Sequence, residues 1–167
     1  GSAQRWRKIR RFFREGSAKE QEEEDYIAPV VLACMNMARK KTGALIAIQS
    51  TSDLTPYQHA GERFLAAVNA RLIETIFFKN SPLHDGAMII AGGKICAAGC
   101  ILPVASDTDL NKDLGLRHRS ALGLSQKTDA KIIIISEERG TISLAYRSEI
   151  IVDITPDELR ALLSSED

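Results

Sequence analysis

The stretch that decides the fold reads AMIIAGGKICAAGCIL and spans residues 87–102. Its apolar runs, 87–91 and 95–102, lie on either side of Gly92-Gly93. A glycine pair between two apolar runs is a strong signal for a tight hairpin turn. The pattern therefore predicts two antiparallel strands that are neighbours in one sheet.

A second hairpin and several helices are predicted around the first. Residues 132–136 and 141–145 are largely apolar and are joined by a polar segment that ends in Gly140. Apolar residues recur at helical spacing from Ile27 to Lys41, and Gly43 stops this pattern. Further helical segments are predicted at 54–60, 70–78, 117–124 and after Thr155, and a buried strand at 44–48. The sequence thus predicts an α/β single domain with a central mixed, largely antiparallel β-sheet covered by α-helices.

Length, charge and cysteine content limit the classes of function. The chain has 167 residues, which suits one domain, and its 22 basic residues balance 22 acidic ones. Without a net positive field, no nucleic-acid partner is expected. Cys34, Cys96 and Cys100 lie in apolar runs without the paired spacing of a zinc site, so we expect buried thiols in a reducing cytosol. Walker A, GxSxG and HExxH motifs are absent from the sequence.

The first 26 residues differ from the rest of the chain. Gly1-Ser2 resembles a remnant of tag cleavage, residues 5–14 contain six Lys or Arg, and residues 20–25 are strongly acidic. Two interpretations stay open: a juxtamembrane segment that touches anionic headgroups, and a solvated helix or tail. No apolar run reaches the roughly 18 residues of a membrane span, so we expect the chain as given to be soluble.

The segment His84-Asp85-Gly86-Ala87 directly precedes the first strand of the hairpin. An aspartate beside a glycine can place a carboxylate at a ligand, while the bare backbone approaches closely. The histidine offers a second metal ligand or a proton-transfer group. The alternative is an ordinary turn in which Asp85 bonds its own backbone.

Two further polar clusters lie at predicted element ends. Arg117, Arg119 and Ser120 near a helix N-terminus suit a polyphosphate, whereas the alternative is a basic surface turn paired with nearby aspartates. Those aspartates are Asp107, Asp109 and Asp113. Ser136-Glu137-Glu138 follows a very apolar strand and could bond a ribose, an adenine amino group or a metal-bound water. Exposed hairpin residues would give the same pattern.

Segments 83–87, 115–123 and 136–138, in this order and spacing, resemble the diadenylate cyclase family. The resemblance runs from Ile27 to the end of the chain. It is supported by Thr42-Gly43-Ala44-Leu45, Asn80-Ser81-Pro82 and Leu102-Pro103. The membrane-anchored bacterial subgroup is the most similar. The resemblance implies a charged juxtamembrane or linker segment at 1–26, after the tag remnant, and a catalytic domain at 27–167. The full-length protein would then lie at the cytoplasmic face of the bacterial membrane.

The resemblance also implies an activity. Two ATP molecules condense into cyclic di-3′,5′-AMP and release two pyrophosphates, as each 3′-hydroxyl attacks the other α-phosphate. The implied cofactor is a divalent metal, Mn²⁺ or Mg²⁺, with Co²⁺ as a further candidate. Catalysis would require a face-to-face homodimer. Anchored family members are associated with a membrane-bound regulator and with phosphoglucosamine mutase.

Residue roles follow from the same resemblance. Asp85 would hold the metal with His84 as an auxiliary ligand, and Asp85, Arg117 and Arg119 would be catalytic. The implied substrate-binding residues are Gly86, Ala87, Leu102, Leu116, Arg117, His118, Arg119, Ser120, Ser136 and Glu138. The chain departs from the family at Leu116, where threonine is usual, and at Ile101, where an aromatic residue is frequent.

Two rival functions stay open. A catalytically weak or inactive module that senses ATP or cyclic di-AMP is favoured by Leu116, because a hydroxyl near the phosphates is missing. A membrane-proximal interaction domain is favoured only by the basic leader, residues 5–14.

Overall fold

The computed structural model describes residues 25–106 and 114–165, together with Arg5 and Arg7. The helices in these ranges are α1 (Ile27–Lys40), α2 (Thr55–Gln58), α3 (Ala70–Phe77), α4 (Leu116–Lys127) and α5 (Pro156–Ser164). The strands are β1 (Ala44–Ile48), β2 (Glu62–Ala67), β3 (Ala87–Ala91), β4 (Lys94–Cys100), β5 (Lys131–Ile135), β6 (Ile142–Tyr146) and β7 (Glu149–Ile151). The predictions for most of the leader, and for Asp107, Asp109 and Asp113, lie outside the described residues.

All these strands form one sheet in the order β2-β4-β3-β1-β5-β6-β7. Strands β1 and β3 are parallel, with Ile46 opposite Met88, and every other neighbouring pair is antiparallel. Both predicted hairpins are present, as β3–β4 and β5–β6. The prediction of a mixed, largely antiparallel sheet covered by helices is confirmed.

Helices cover both faces of the sheet. Helices α1, α3 and α5 pack on one face with Ile133 and Ile135 of β5, whereas α4 packs on the other face with Ile132 and Ile134. Side chains alternate between the faces of a strand, so a strand buried on both sides is apolar throughout. This explains the uninterrupted isoleucine run at the sheet centre.

The two edge strands were missed by the sequence reasoning. Strand β2 exposes Arg63 and Leu65 and packs only Phe64 and Ala66 against the core. Strand β7 has three residues. Because an edge strand is short or half-solvated, its composition is hard to distinguish from that of a loop.

Helix ends follow local signals. Asn69 caps α3 by accepting a hydrogen bond from the Leu72 N–H at 2.8 Å, and Thr155 forms a capping box with Glu158 on α5. Helix α1 ends at Lys40, among the basic residues at which the predicted helical pattern finishes. Lys41 follows it with the left-handed φ of 55°, and Gly43 lies two residues beyond.

The cysteines are free thiols, and two of the three are buried. Burial raises the pKa of the Cys34 thiol to about 12 and that of the Cys100 thiol to about 11. Cys96 is only half-buried and lies in β4 three residues after the Gly92-Gly93 turn. Within the described ranges, no helix is both long enough and apolar enough to cross a membrane.

Candidate active site

A cavity of about 1030 Å³ lies at the end of the sheet where β3 and β6 begin and where β4 and β5 finish. The N-terminus of α4 closes one side. The cavity brings together all three polar clusters of the sequence. The predicted site residues that line it are His84, Asp85, Gly86, Leu102, Leu116, Arg117, His118, Ser120, Ser136 and Glu138. Ala87 and Arg119 are not among its lining residues.

One side of the cavity, here called the acidic wall, consists of His84 and Asp85. The Asp85 carboxylate is 88% exposed, and its Oδ1 lies 3.3 Å from Nε2 of His84. On the other side of the ring, Nδ1 of His84 lies 2.8 Å from the carbonyl oxygen of Ser81. A carbonyl only accepts, so Nδ1 carries the hydrogen, and in neutral His84 the lone pair at Nε2 faces the Asp85 carboxylate.

The geometry of the acidic wall fits a divalent metal. Metal-binding histidines commonly donate their second ring N–H to a carbonyl oxygen, which fixes the tautomer. In the part of the chain that the structure describes, no group of three or more His, Cys, Asp or Glu side chains could hold a metal ion. A divalent ion bound at the acidic wall would have His84 and Asp85 as its protein ligands, with phosphate oxygens and water completing the coordination.

Gly86 and Ala87 position the acidic wall through the backbone. Gly86 has a φ of 92°, and a Cβ there would lie 2.7 Å from the carbonyl oxygen of Cys100. Only glycine therefore allows the start of β3 to approach the end of β4 this closely. Ala87 is fully buried opposite Cys100, so its side chain belongs to the core and only its backbone lies near the cavity.

The opposite side, here called the cationic wall, consists of Arg117, His118 and Arg139. Arg117 and His118 lie in the first turn of α4, and Arg139 comes from the β5–β6 hairpin. Arg117 Nη1 lies 3.5 Å from Oε1 of Glu137. Among the described residues no side chain caps α4, so within this part of the chain its first N–H groups remain available to an anion. Arg139 was missed in the sequence, although it directly follows the Ser136-Glu137-Glu138 cluster.

His118 is buried within the cationic wall, with 6% of its surface exposed. Its Nδ1 has no hydrogen-bond partner among the described residues. Burial lowers the pKa of His118 below its usual 6.5, and the charges of Arg139 and Arg117 lower it further. The ring is therefore neutral at pH 7, with one nitrogen as a donor and the other as an acceptor.

Arg119 does not line the cavity, unlike His118 and Ser120 on either side of it. It is half-buried, and its carbonyl oxygen accepts a hydrogen bond from the Ala105 N–H at 3.0 Å. This bond ties α4 to the segment that follows β4. The catalytic role expected for the Arg119 side chain stays a prediction.

The mouth of the cavity is apolar on one side and polar on the other. Ile101 and Leu116 are exposed by 74% and 62%, while Leu102 is buried beneath them. At the polar side, the Ser136 Oγ accepts a hydrogen bond from the Arg139 N–H at 3.1 Å. An apolar base and a polar sugar could therefore both be accommodated.

A histidine and a carboxylate in one cavity with two arginines and a helix N-terminus have the chemistry that suits a nucleotide polyphosphate. The family model described as DisA bacterial checkpoint controller nucleotide-binding, abbreviated DAC, matches residues 31–150. The chain belongs to this family.

Relatives and solved structures agree with this assignment. The chain is 39% identical over 155 residues to a diadenylate cyclase of Listeria monocytogenes, covering 93% of this chain and 57% of that protein. It is 37% identical over 157 residues to the cyclic di-AMP synthase CdaA of Bacillus subtilis, covering 93% and 58%. The chain thus spans a little over half the length of these curated relatives.

Among solved structures, a double mutant of DacA from Staphylococcus aureus superposes with a TM-score of 0.83 at 38% identity, covering 86% of this chain and 96% of that one. A protein from Bacillus cereus described as a hypothetical membrane-spanning protein superposes with a TM-score of 0.75 at 34% identity, covering 78% and 64%.

Proposed function

We propose that the protein is a diadenylate cyclase, which converts two ATP molecules into cyclic di-3′,5′-AMP and two pyrophosphates. The observation that carries the proposal is that one cavity holds His84 and Asp85 together with the cationic wall at a helix N-terminus. The names of the relatives from Listeria monocytogenes and Bacillus subtilis agree with it.

The cationic wall would bind the triphosphate. Arg117 offers a planar pair of N–H donors, Ser120 offers a hydroxyl, and the free N–H groups of α4 add further donors. Neutral His118 can donate to a phosphate oxygen without repelling the two arginines. Leu102 and the exposed Ile101 would contact the adenine, and Ser136 and Glu138 would bond the nucleoside.

The acidic wall would act on the nucleophile. Each ribose 3′-oxygen forms a bond to the α-phosphorus of the other ATP, and the bond to the β-phosphate breaks with its electron pair leaving on pyrophosphate. Asp85 lies at the open mouth, where its carboxylate can receive the 3′-hydroxyl proton. When bound, a divalent cation neutralises phosphate charge and makes the hydroxyl more acidic. Phosphoryl transfer depends mainly on such positioning and charge neutralisation.

A second copy of the chain would complete the reaction. One chain offers one such cavity in the described ranges, whereas the product joins two nucleotides symmetrically. We propose a face-to-face homodimer, with the solvent-facing Asp85 of one copy near the nucleotide of the other. Such a two-fold arrangement uses the same surface on both copies.

The activity is tested by incubating the protein with ATP and Mn²⁺ or Mg²⁺ and separating the nucleotides by chromatography. We expect one cyclic di-AMP and two pyrophosphates for every two ATP consumed, and no product when a chelator removes the metal. ADP with free phosphate, or unchanged ATP under every divalent metal, would contradict the proposal.

The dimer is tested by diluting the wild-type protein into an excess of Asp85→Asn protein after subunit exchange. If two intact copies are needed, the activity per wild-type chain falls steeply, because most wild-type chains are then paired with a defective copy. Dilution into the same mass of serum albumin is the control. Equal activity in both mixtures would show that one copy suffices.

The full-length protein is proposed to lie at the cytoplasmic face of the bacterial membrane. The support is the basic leader together with the relative from Bacillus cereus that is described as membrane-spanning. A membrane-bound regulator and phosphoglucosamine mutase remain partners predicted from the family resemblance.

A second candidate function is a sensor that binds ATP or cyclic di-AMP without turnover. It is favoured by Leu116, whose exposed side chain brings no hydroxyl to the N-terminus of α4. Calorimetry that detects binding of either nucleotide, combined with no product under any metal, would identify this function. Turnover would exclude it.

A further inference from the structure

We infer that Gly43 is a positioning residue. Because glycine has no side chain, the Arg117 guanidinium can occupy the space next to its Cα. The inference rests on the proposed function, because it concerns the arginine assigned to the triphosphate. It gives a role to a glycine that lies outside the three polar clusters.

The backbone itself does not require glycine at position 43. Residues with positive φ include Lys41 and Gly86, but Gly43 is not one of them. Helix α1 has already ended at Lys40, and the Lys41 N–H bonds the carbonyl oxygen of Ala38 at 3.1 Å. Any residue could therefore adopt the backbone conformation found at position 43.

The surroundings of Gly43 explain why position 43 needs a residue without a side chain. A Cβ built there would lie 2.5 Å from both Cζ and Nη1 of Arg117 and 2.9 Å from Nη2. These distances are well inside van der Waals contact, so even one methyl group must displace the guanidinium. Gly43 is buried beneath the cation, immediately before β1, and the Glu137 carboxylate lies 3.5 Å from the same Nη1.

Gly43 differs from the other tightly packed glycines in the kind of atom that an added Cβ would meet. A Cβ at Gly61 or Gly86 would meet the backbone of β4, and one at Gly123 would meet the backbone of Pro103. At Gly43 the three nearest atoms all belong to the end of one flexible side chain. A methyl group there would move a cation rather than a strand, so we expect it to weaken ligand binding more than stability.

A double-mutant cycle tests this inference through the affinity for ATP, measured by calorimetry. Gly43→Ala should weaken ATP binding about tenfold, as expected when one charge-assisted contact is disturbed. In an Arg117→Ala background the same substitution should change the affinity by less than about twofold, because the side chain through which it acts is gone. Thermal unfolding of all four proteins checks that each one is folded.

Two results would overturn the inference. One is an unchanged affinity for Gly43→Ala. The other is an equal loss in both backgrounds, which would indicate a general effect on the fold. Because the readout is binding, the cycle remains decisive even if the wild-type protein makes no cyclic di-AMP, and that failure would count against the proposed function alone.

Discussion

The two walls of the cavity are built in opposite ways. The acidic wall is a solvent-facing carboxylate beside a histidine that is held by one backbone carbonyl. The cationic wall is packed: His118 is buried, and the Arg117 guanidinium lies between Gly43 and Glu137. Chemistry at the acidic wall should therefore be separable from stability, whereas in the cationic wall the buried His118 should contribute to both binding and folding.

This difference is what the proposed function would require of the two walls. A carboxylate that meets a metal and a second nucleotide must remain accessible. Arginines that orient a triphosphate must hold their geometry before the ligand arrives, because positioning supplies much of the rate of phosphoryl transfer.

The largest effect is expected from Asp85→Asn, which keeps the shape of the side chain but removes its charge. The rate of cyclic di-AMP formation should fall at least about a hundredfold, or ~3 kcal/mol of transition-state stabilisation. The melting temperature should stay unchanged, because the carboxylate is exposed. Initial rates and thermal unfolding measure the two quantities.

Asp157→Asn is the matched control, because it removes the same charge from an exposed site on α5 away from the cavity. It should keep full activity. Full activity of Asp85→Asn would instead remove Asp85 from the chemistry.

A smaller effect, this time on stability, is expected from Gly123→Ala on α4. Alanine favours a helix by about 1 kcal/mol, but the added Cβ would clash with the Pro103 carbonyl and lie 2.9 Å from the Ala105 nitrogen. Moving backbone costs more than the usual overpacking penalty of about 1–3 kcal/mol. We expect a net loss of about 2 kcal/mol in the free energy of unfolding, measured with denaturant.

Gly43→Ala is the comparison for this variant, because its Cβ meets only a side-chain end. It should unfold at nearly the wild-type denaturant concentration. Equal stability of Gly123→Ala and the wild type would show that α4 is not held tightly by the Pro103 segment.

The smallest effect is expected in the pH dependence of stability. The pKa of His118 is lowered in the folded protein, so between that value and 6.5 the unfolded chain binds more protons than the folded one. Stability is therefore lost as the pH falls through this window. His118→Gln should lose less stability than the wild type between about pH 7.5 and about pH 5.5. Identical pH profiles would indicate that His118 is not kept neutral by its surroundings.

The parts of the fold that are buried on both sides could be predicted from sequence. Runs such as 87–91 and 132–135 must be apolar on both faces, and tight turns need their glycines. Strand β2 could not be predicted, because an edge strand with one solvated face carries a weak pattern. The end of α1 agrees with the basic residues that finish the predicted pattern, although Lys41, rather than a glycine, takes the left-handed conformation.

The candidate site also has a part that could be predicted from the sequence and a part that could not. The three clusters were visible as polar segments at the ends of apolar elements, and the structure brings them to one cavity. Arg139 and Gly43 were missed as contributors, because their roles depend on contacts between distant segments. No local pattern reveals that the space above Gly43 is filled by Arg117, 74 positions further along the chain.

The most direct test of the shared site is a crystal structure with 3′-deoxy-ATP and a divalent metal, since that analogue lacks the attacking hydroxyl. We predict a face-to-face pair of copies, with each triphosphate on Arg117 and Ser120 of one copy and Asp85 of the other copy beside the α-phosphate. A triphosphate bound away from Arg117, or an Asp85 that faces no nucleotide, would contradict this account.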